Sequence, residues 1–293
     1  MAWLALERPG PAELELLRER LGLSRLTLDD LISRGEPPRV EHHARYDFAV
    51  LHFPVLMARP RRLAAGELRM VVGADFVLTV HDGDLRSLVA LFGDLQADPA
   101  RRDELMTSPG RLAQTIARTL LLATAGWGER VGAALEQLQE AVLVGPTAGV
   151  PRQLFAMARE IDEVRWFAGP MAALLGQLGA SPFAGGDEVA AAWRDTADLA
   201  ERQGRQLSGV AAALGALDRA LAHRLAERRN ALLRTVAVLL AATLPALVVA
   251  ALYGSGLRGL PGADSEWAFE IVLALTLAAG VLTVGFLRRA RWL

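Results

Sequence analysis

Histidines and closely spaced carboxylates are the side chains of this sequence best suited to chemistry. Histidines occur at positions 42, 43, 52, 81 and 223, and imidazole nitrogen is a common zinc ligand. His42 and His43 are adjacent in a segment with a strand pattern, so their side chains point to opposite faces and chelate poorly. Asp82 and Asp84 follow another predicted strand, where they form either a cation site or a turn and helix cap. The sequence leaves the metal ligands unknown.

The patterns typical of enzymes are missing from the sequence. It has no cysteine, which excludes disulfides and thiolate metal sites. It also has no nucleophile elbow, no phosphate-binding loop of the Walker type and no HExxH motif. A net charge of −1 argues against a nucleic-acid-binding protein. We therefore predict a protein that is not an enzyme, has no cofactor and binds no nucleic acid.

Two uncharged runs near the C-terminal end dominate the rest of the chain. The first, Thr235 to Tyr253, has 19 residues without a charged side chain, and the second extends from Ile271 to Leu287. At 1.5 Å per residue the first run forms a rod of about 28 Å, close to the thickness of a bilayer's hydrocarbon core. We predict a transmembrane hairpin with spans at about 235–253 and 269–287.

The charges that flank the two runs predict the topology. Arginines precede the first span and follow the second, whereas the connecting loop holds Arg258 against Asp264, Glu266 and, at its edge, Glu270. The positive-inside rule then places both termini in the cytoplasm. The N-terminal stretch lacks a basic region and a long apolar core, so we expect no signal peptide. The arginines in question are Arg224, Arg228, Arg229, Arg234, Arg288, Arg289 and Arg291.

The residues before the spans predict an α+β domain followed by helices. Strand patterns at 39–54, 68–72 and 75–81 indicate a small sheet, and the helical pattern of 85–95 places helices over it. A proline-free helix is predicted from about Asp187 into the first span. Its stripe from Leu207 to Leu221 predicts packing on a helix at 155–178 and self-association. We divide the chain into an αβ part (1–110), a helical part (111–230) and a transmembrane domain (231–293).

Several motifs, in this order, resemble the CorA-type divalent-cation transporters, including the branch that transports zinc. They cover nearly the whole chain: Pro38-Arg-Val-Glu with Tyr46-Asp-Phe-Ala-Val-Leu-His-Phe-Pro54, Gly73-Ala-Asp-Phe-Val-Leu-Thr-Val-His81, Trp193-Arg-Asp-Thr-Ala-Asp198, Arg229-Asn230, Pro245 and Tyr253-Gly254. The resemblance implies a homopentamer in a bacterial-type inner membrane, with a cytoplasmic αβα domain and a funnel of long stalk helices. It further implies that the first span lines a pore for divalent cations such as magnesium or zinc.

The family resemblance also implies which residues form the pore. The lining stripe would be Asn230, Leu233, Ala237, Leu240, Leu244, Leu247 and Ala251. Basic residues would ring the inner mouth, here Arg288, Arg289 and Arg291. The outer mouth would be Tyr253, Gly254, Ser255 and Gly256, where the family has Tyr-Gly-Met-Asn.

The outer mouth is where this sequence departs from the family. A ring of asparagine amides can hydrogen-bond the water shell of Mg²⁺, but Gly256 has no side chain. Ser255 is then either part of a remodelled filter or a turn after a helix. The leucine-rich stripe offers a cation nothing in place of water. Two functions follow: a CorA-like cation channel or transporter, or a non-conducting relative that serves as a membrane scaffold or signalling partner.

Overall fold

The structure, a computed structural model, describes residues 1–58, 61–123, 125–143, 149–255 and 266–289. The chain separates into two compact units, Met1–Asp218 and Arg219–Leu293. The elements, in chain order, are β1 (Ala2–Glu7), α1 (Pro11–Leu21), α2 (Arg25–Ile32), β2 (Arg39–His42), β3 (Tyr46–Ala58), β4 (Arg61–Gly73), β5 (Phe76–His81), α3 (Arg86–Ala97), α4 (Pro99–Leu105), α5 (Pro109–Ala123), α6 (Ala125–Leu143), α7 (Val150–Ala168), α8 (Met171–Gly179), α9 (Asp187–Gly254) and α10 (Ala268–Arg289). The division into 1–110, 111–230 and 231–293 stays a prediction.

The first unit contains a five-stranded sheet with the strand order β1-β5-β4-β3-β2. The β2–β3, β3–β4 and β4–β5 pairs are antiparallel, and β1 lies parallel to β5 with Ala2 opposite Phe76. The sequence patterns at 39–54, 68–72 and 75–81 do not include β1. Its strand partner lies more than 70 residues away, so no turn signal marks it.

Both faces of the sheet are covered, as the resemblance to an αβα domain predicted. Alternating side chains of β3 divide between the two faces, because successive residues of a strand point to opposite sides. Phe48 and Val50 pack with Leu14 and Leu28 of the first two helices. Leu51 and Phe53 face the other way, into a core completed by α3, α5, α8 and the start of α9.

The helix predicted over 155–178 is instead two helices. α7 ends at Ala168 and α8 begins at Met171, with Gly169 and Pro170 between them. Proline lacks the N–H that an unbroken helix would use at this point, and its ring clashes with the preceding turn. The apolar stripe at 157–178 continues through the break because both helices present Ile161, Phe167 and Leu175 to the interior.

Helix α9 has 68 residues and continues without interruption from the soluble part into the first span, as predicted. In the first unit its Leu207, Leu214 and Leu217 are buried. Leu214 lines the same groove as Leu154 and Ile161 of α7, which agrees with the predicted packing of the leucine stripe. The helix begins at Asp187, as predicted, and the negative charge of this residue in the first turn is favourable to the helix dipole.

Candidate functional site

The second unit carries the candidate site. By length and composition, α9 and α10 are both able to cross a membrane. In the most apolar window of each helix almost no residue is buried, with none in α9 and 6 % in α10. These helices are therefore apolar and only partly covered by the described residues, which is the pattern of membrane spans and not of core helices.

The predicted pore-lining residues lie on one face of α9. With about 100° of rotation per residue, the positions from Asn230 to Ala251 fall within an arc of about 100°. Leu240 is 59 % exposed, and Leu233, Leu244 and Leu247 are exposed to a similar degree. Asn230 and Ala251 are also exposed, whereas Ala237 is half-buried. The stripe is thus a continuous and mainly uncovered surface.

A different face of the same helix is partly covered. Val238, Ala241, Ala242, Pro245 and Val249 are half-buried, and their positions centre about 130° around the helix from the leucine stripe. The covered and uncovered faces are therefore separate. Because of this separation, the stripe is available to line a passage or to face other copies of the chain.

Threonine hydroxyl groups of the first span form hydrogen bonds to backbone carbonyl oxygens of the same helix. Thr235 donates to the carbonyl oxygen of Ala231 at 3.0 Å. Thr243 lies within hydrogen-bond distance of the carbonyl oxygens of Leu239 (3.0 Å) and Leu240 (3.3 Å). These bonds satisfy the hydroxyl protons in an apolar environment. Among the stripe residues, Asn230 alone has a polar side chain.

The last turn of α9 holds the part of the outer-mouth signature that the structure describes. Tyr253 and Gly254 end the helix, and the Ser255 amide donates to the carbonyl oxygen of Ala251 at 3.0 Å. The Ser255 hydroxyl donates to the carbonyl oxygen of Leu252 at 2.7 Å, so its lone pairs stay available to accept from water. Gly256 lies outside the described residues.

The basic residues of the predicted inner mouth lie at the far end of α10. Arg288 and Arg289 are exposed in its last turn, where positive charge is favourable to the helix dipole. Arg291 lies outside the described residues. Their placement around a pore stays a prediction.

The described residues include no group of three or more histidines, aspartates and glutamates that could hold a metal ion. His42 instead contacts Asp47, with 2.7 Å between Nδ1 and Oδ1. Asp82 pairs with Arg34 at 3.4 Å. The side chain of Asp84 makes no cap to α3, because the cap position is Leu85 and has no side-chain hydrogen bond. Burial, together with the neighbouring charge of Asp82, raises the pKa of Asp84 above its ordinary value.

A buried polar cluster was missed at the sequence level. His52 of β3 lies opposite Glu67 of β4, and Arg69 Nε donates to Glu67 Oε1 at 2.8 Å. His52 is only 5 % exposed, and neither of its ring nitrogens has a hydrogen-bond partner among the described residues. Burial lowers the pKa of His52, and Arg69 lowers it further, while Glu67 acts in the opposite direction. The signal available was the pair of charges, Glu67 and Arg69, inside the otherwise apolar stretch from Leu63 to Gly73 of β4.

A family model described as CorA-like Mg²⁺ transporter protein matches residues 1–289. The chain belongs to this family. The resemblance found in the motifs is therefore confirmed over almost the whole chain. No curated protein matches the chain in sequence.

Solved structures of CorA and related proteins share the fold. The complete CorA magnesium transporter from Methanocaldococcus jannaschii is similar with a TM-score of 0.82 and 16 % identity, over 99 % of this chain and 91 % of that one. The full-length CmaX protein has a TM-score of 0.78 and 22 % identity, over 99 % and 88 % of the two chains. The ZntB cytoplasmic domain from Vibrio parahaemolyticus RIMD 2210633 has a TM-score of 0.58 and 14 % identity, over 77 % and 88 %.

Proposed function

We propose that this CorA family member is a homopentameric channel or transporter for divalent metal cations, with the first span lining the pore. The observation that carries the proposal is the family match over residues 1–289. The uncovered stripe on α9 supports it, because a surface of leucines that no described part of the chain covers needs lipid or further copies around it. A ring of five chains would place five such stripes around one axis.

The chemistry of the stripe favours a hydrated ion. Mg²⁺ loses its water reluctantly, and leucine side chains provide no oxygen ligands to replace that water. A leucine-lined passage closes by expelling water and conducts when it widens enough to stay wet. In this account Asn230 and Ser255 contact the ion's water shell at the two ends, and the leucines between them form the gate.

Positive charge at the inner mouth fits the same proposal. In it, Arg288 and Arg289 lie on the cytoplasmic side, where they oppose the passage of cations until the helices move. Both side chains are exposed, so they are free to act on ions in the adjoining water.

Ion flux into liposomes tests the proposal. The purified full chain is reconstituted, and uptake of Mg²⁺, Zn²⁺, Co²⁺ and Ni²⁺ is followed with an entrapped metal-sensitive dye. We expect uptake of at least one of these ions. An absence of uptake for all four, in vesicles shown to contain assembled protein, contradicts the proposal.

A matched pair of variants tests whether the stripe is the pathway. Leu239 and Leu240 are 60 % and 59 % exposed, but they point about 100° apart around α9. A polar side chain in a hydrophobic gate keeps the passage wet. Leu240→Asn is therefore expected to raise the flux, while Leu239→Asn leaves it near the wild-type value. Equal effects of the two variants would contradict the assignment of the lining.

The second candidate is a non-conducting membrane scaffold or signalling protein. It is favoured by the outer mouth, where Ser255 and Gly256 replace the side chains that the family signature supplies. Growth rescue of a strain deficient in magnesium transport decides between the candidates. Rescue by the wild-type chain would contradict the scaffold.

A further inference from the structure

Positive charge is concentrated at one end of the two uncharged runs of the second unit. Arg228, Arg229 and Arg234 precede the first run, and Arg288 and Arg289 follow the second. One acidic residue, Glu227, lies between Arg224 and Arg234. The described residues at the other end include Glu266 and Glu270 but no arginine or lysine. A chain that crosses twice returns to its starting side, so the arginines share one membrane surface.

These arginines lie at the depth of lipid headgroups. Arg234 directly precedes the uncharged run, and Arg288 directly follows Leu287. Arg228 is six residues further from the run, which is about 9 Å along the helix. The headgroup layer extends about 5–8 Å beyond the hydrocarbon core, so Arg234 and Arg288 lie within it and Arg228 lies at its outer edge.

Arg228 and Arg234 of α9 lie outside the leucine stripe. Arg228 points about 140° away from the centre of the stripe and Arg234 about 100° away. Both side chains are exposed, as are those of Arg288 and Arg289 on α10. These four residues therefore form a basic belt that is distinct from the candidate pore lining on α9.

We propose that the basic belt, Arg228, Arg234, Arg288 and Arg289, binds the phosphate groups of anionic phospholipids in the adjoining leaflet. The charge complementarity is direct, because guanidinium groups hydrogen-bond phosphate oxygens in a bidentate manner. Anionic lipids attract basic residues next to a span, and the attraction declines within a Debye length. The inference depends on the membrane spans and not on ion conduction.

Lipid enrichment around the protein is the test. The full chain is placed in nanodiscs of phosphatidylcholine with a minority of phosphatidylglycerol, and the lipids bound after extraction are counted by native mass spectrometry. We expect the wild type to retain phosphatidylglycerol above its share in the mixture. Replacing two arginines by glutamine, as Arg228→Gln/Arg234→Gln or as Arg288→Gln/Arg289→Gln, is expected to weaken retention roughly twentyfold.

Three controls keep the outcome interpretable. The double variant Arg194→Gln/Arg202→Gln removes two exposed arginines of the first unit and is expected to keep the enrichment. Arg288→Lys/Arg289→Lys keeps the charge and most of the retention. Inorganic phosphate at millimolar concentration is expected not to displace the lipid, and full displacement by it would show a free-phosphate site instead. Unchanged enrichment in both glutamine variants overturns the proposal, whether or not the protein conducts ions.

Discussion

Large apolar side chains are buried in the first unit of this chain and exposed in the second. In Met1–Asp218 the large side chains Phe48, Phe53 and Trp193 are almost completely buried by their own chain. In Arg219–Leu293 equally apolar residues such as Leu247 and Phe286 are mostly exposed. The first unit therefore completes its own hydrophobic core, whereas the apolar side chains of the second need an apolar environment such as lipid.

The two units also differ in how their backbone N–H and C=O groups are hydrogen-bonded. The sheet lies in the first unit, where its edge strands β1 and β2 have water as a possible partner for unpaired groups. The described part of the second unit consists of helices, whose backbone hydrogen bonds are satisfied within each helix. That is a requirement for a segment in hydrocarbon, since an unpaired N–H or C=O there costs several kcal/mol.

The largest difference between the two units is expected when an exposed valine is replaced by a charged residue. Val281 of α10 is 71 % exposed and Val89 of α3 is 50 % exposed. Val281→Asp puts a carboxylate into lipid, at a cost of about 3 kcal/mol for a position near the centre of a span. Val89→Asp puts it into water. We expect the first variant to reduce the yield of full chain in the membrane fraction severely, and the second to leave it nearly unchanged; equal yields would contradict the division into lipid-facing and water-facing units.

A methyl group at the tightest glycine of the first unit should have the next largest effect. A Cβ at Gly110 would overlap the backbone carbonyl of Ala184, whereas a Cβ at Gly209 in α9 would meet open space. Gly110→Ala should therefore destabilise the first unit by about 1–3 kcal/mol, as overpacking does.

Gly209→Ala is the matched control, and it should stabilise α9 by up to about 1 kcal/mol because alanine has the higher helix propensity. Thermal unfolding of the full chain in detergent, followed by circular dichroism, measures both variants. A melting temperature for Gly110→Ala at or above that of the wild type would show that α5 and the segment before α9 are not in close contact.

The buried histidine gives a smaller, pH-dependent effect. Because burial lowers the pKa of His52, the unfolded chain binds a proton there before the folded chain does. This contribution to stability is thus lost as the pH falls below the ordinary histidine pKa of about 6.5, until the folded-state pKa is reached. His52→Leu should reduce the decrease in melting temperature between pH 7.5 and 5.0. The corresponding difference in the free energy of unfolding is at most about 1.4 kcal/mol per pH unit.

If His52→Leu and the wild type lose stability in parallel on acidification, His52 is not the group that titrates.

The strands and helices with a strong local pattern could be predicted from the sequence, and those that depend on distant partners could not. The period of α9 is visible locally, and so is β5, a short apolar run bounded by Gly73 and Gly83. β1 is defined by its parallel pairing with β5. β3 continues past Pro54 to Ala58, although proline usually ends a strand. Here β2 pairs only as far as Val50, so Pro54 has β4 as its single neighbour and needs no second hydrogen bond.

The candidate site was predictable to a similar extent. Residue spacing is enough to place Leu233, Leu240 and Leu247 on one face, and the structure shows that this face is uncovered. The number of chains around that face depends on contacts between copies, which a pattern within one chain does not encode. His52 was missed because its burial results from the pairing of β3 with β4 and from Phe167 of α7, with 6.0 Å between the two ring centroids.

Cysteine accessibility tests the central claim, that the stripe on the first span faces water in a cation pathway. The chain has no cysteine of its own, so a cysteine introduced by substitution is the only thiol that the reagent can modify. Ala250 and Ala251 are both exposed alanines near the outer end of α9, and they point about 100° apart. Each is replaced by cysteine, and a water-soluble thiol reagent is added to the outside of liposomes during an ion-flux measurement. The account predicts that Ala251→Cys reacts and loses flux while Ala250→Cys, which faces away from the stripe, does neither. Reaction and block at Ala250→Cys, with Ala251→Cys inert, would contradict it.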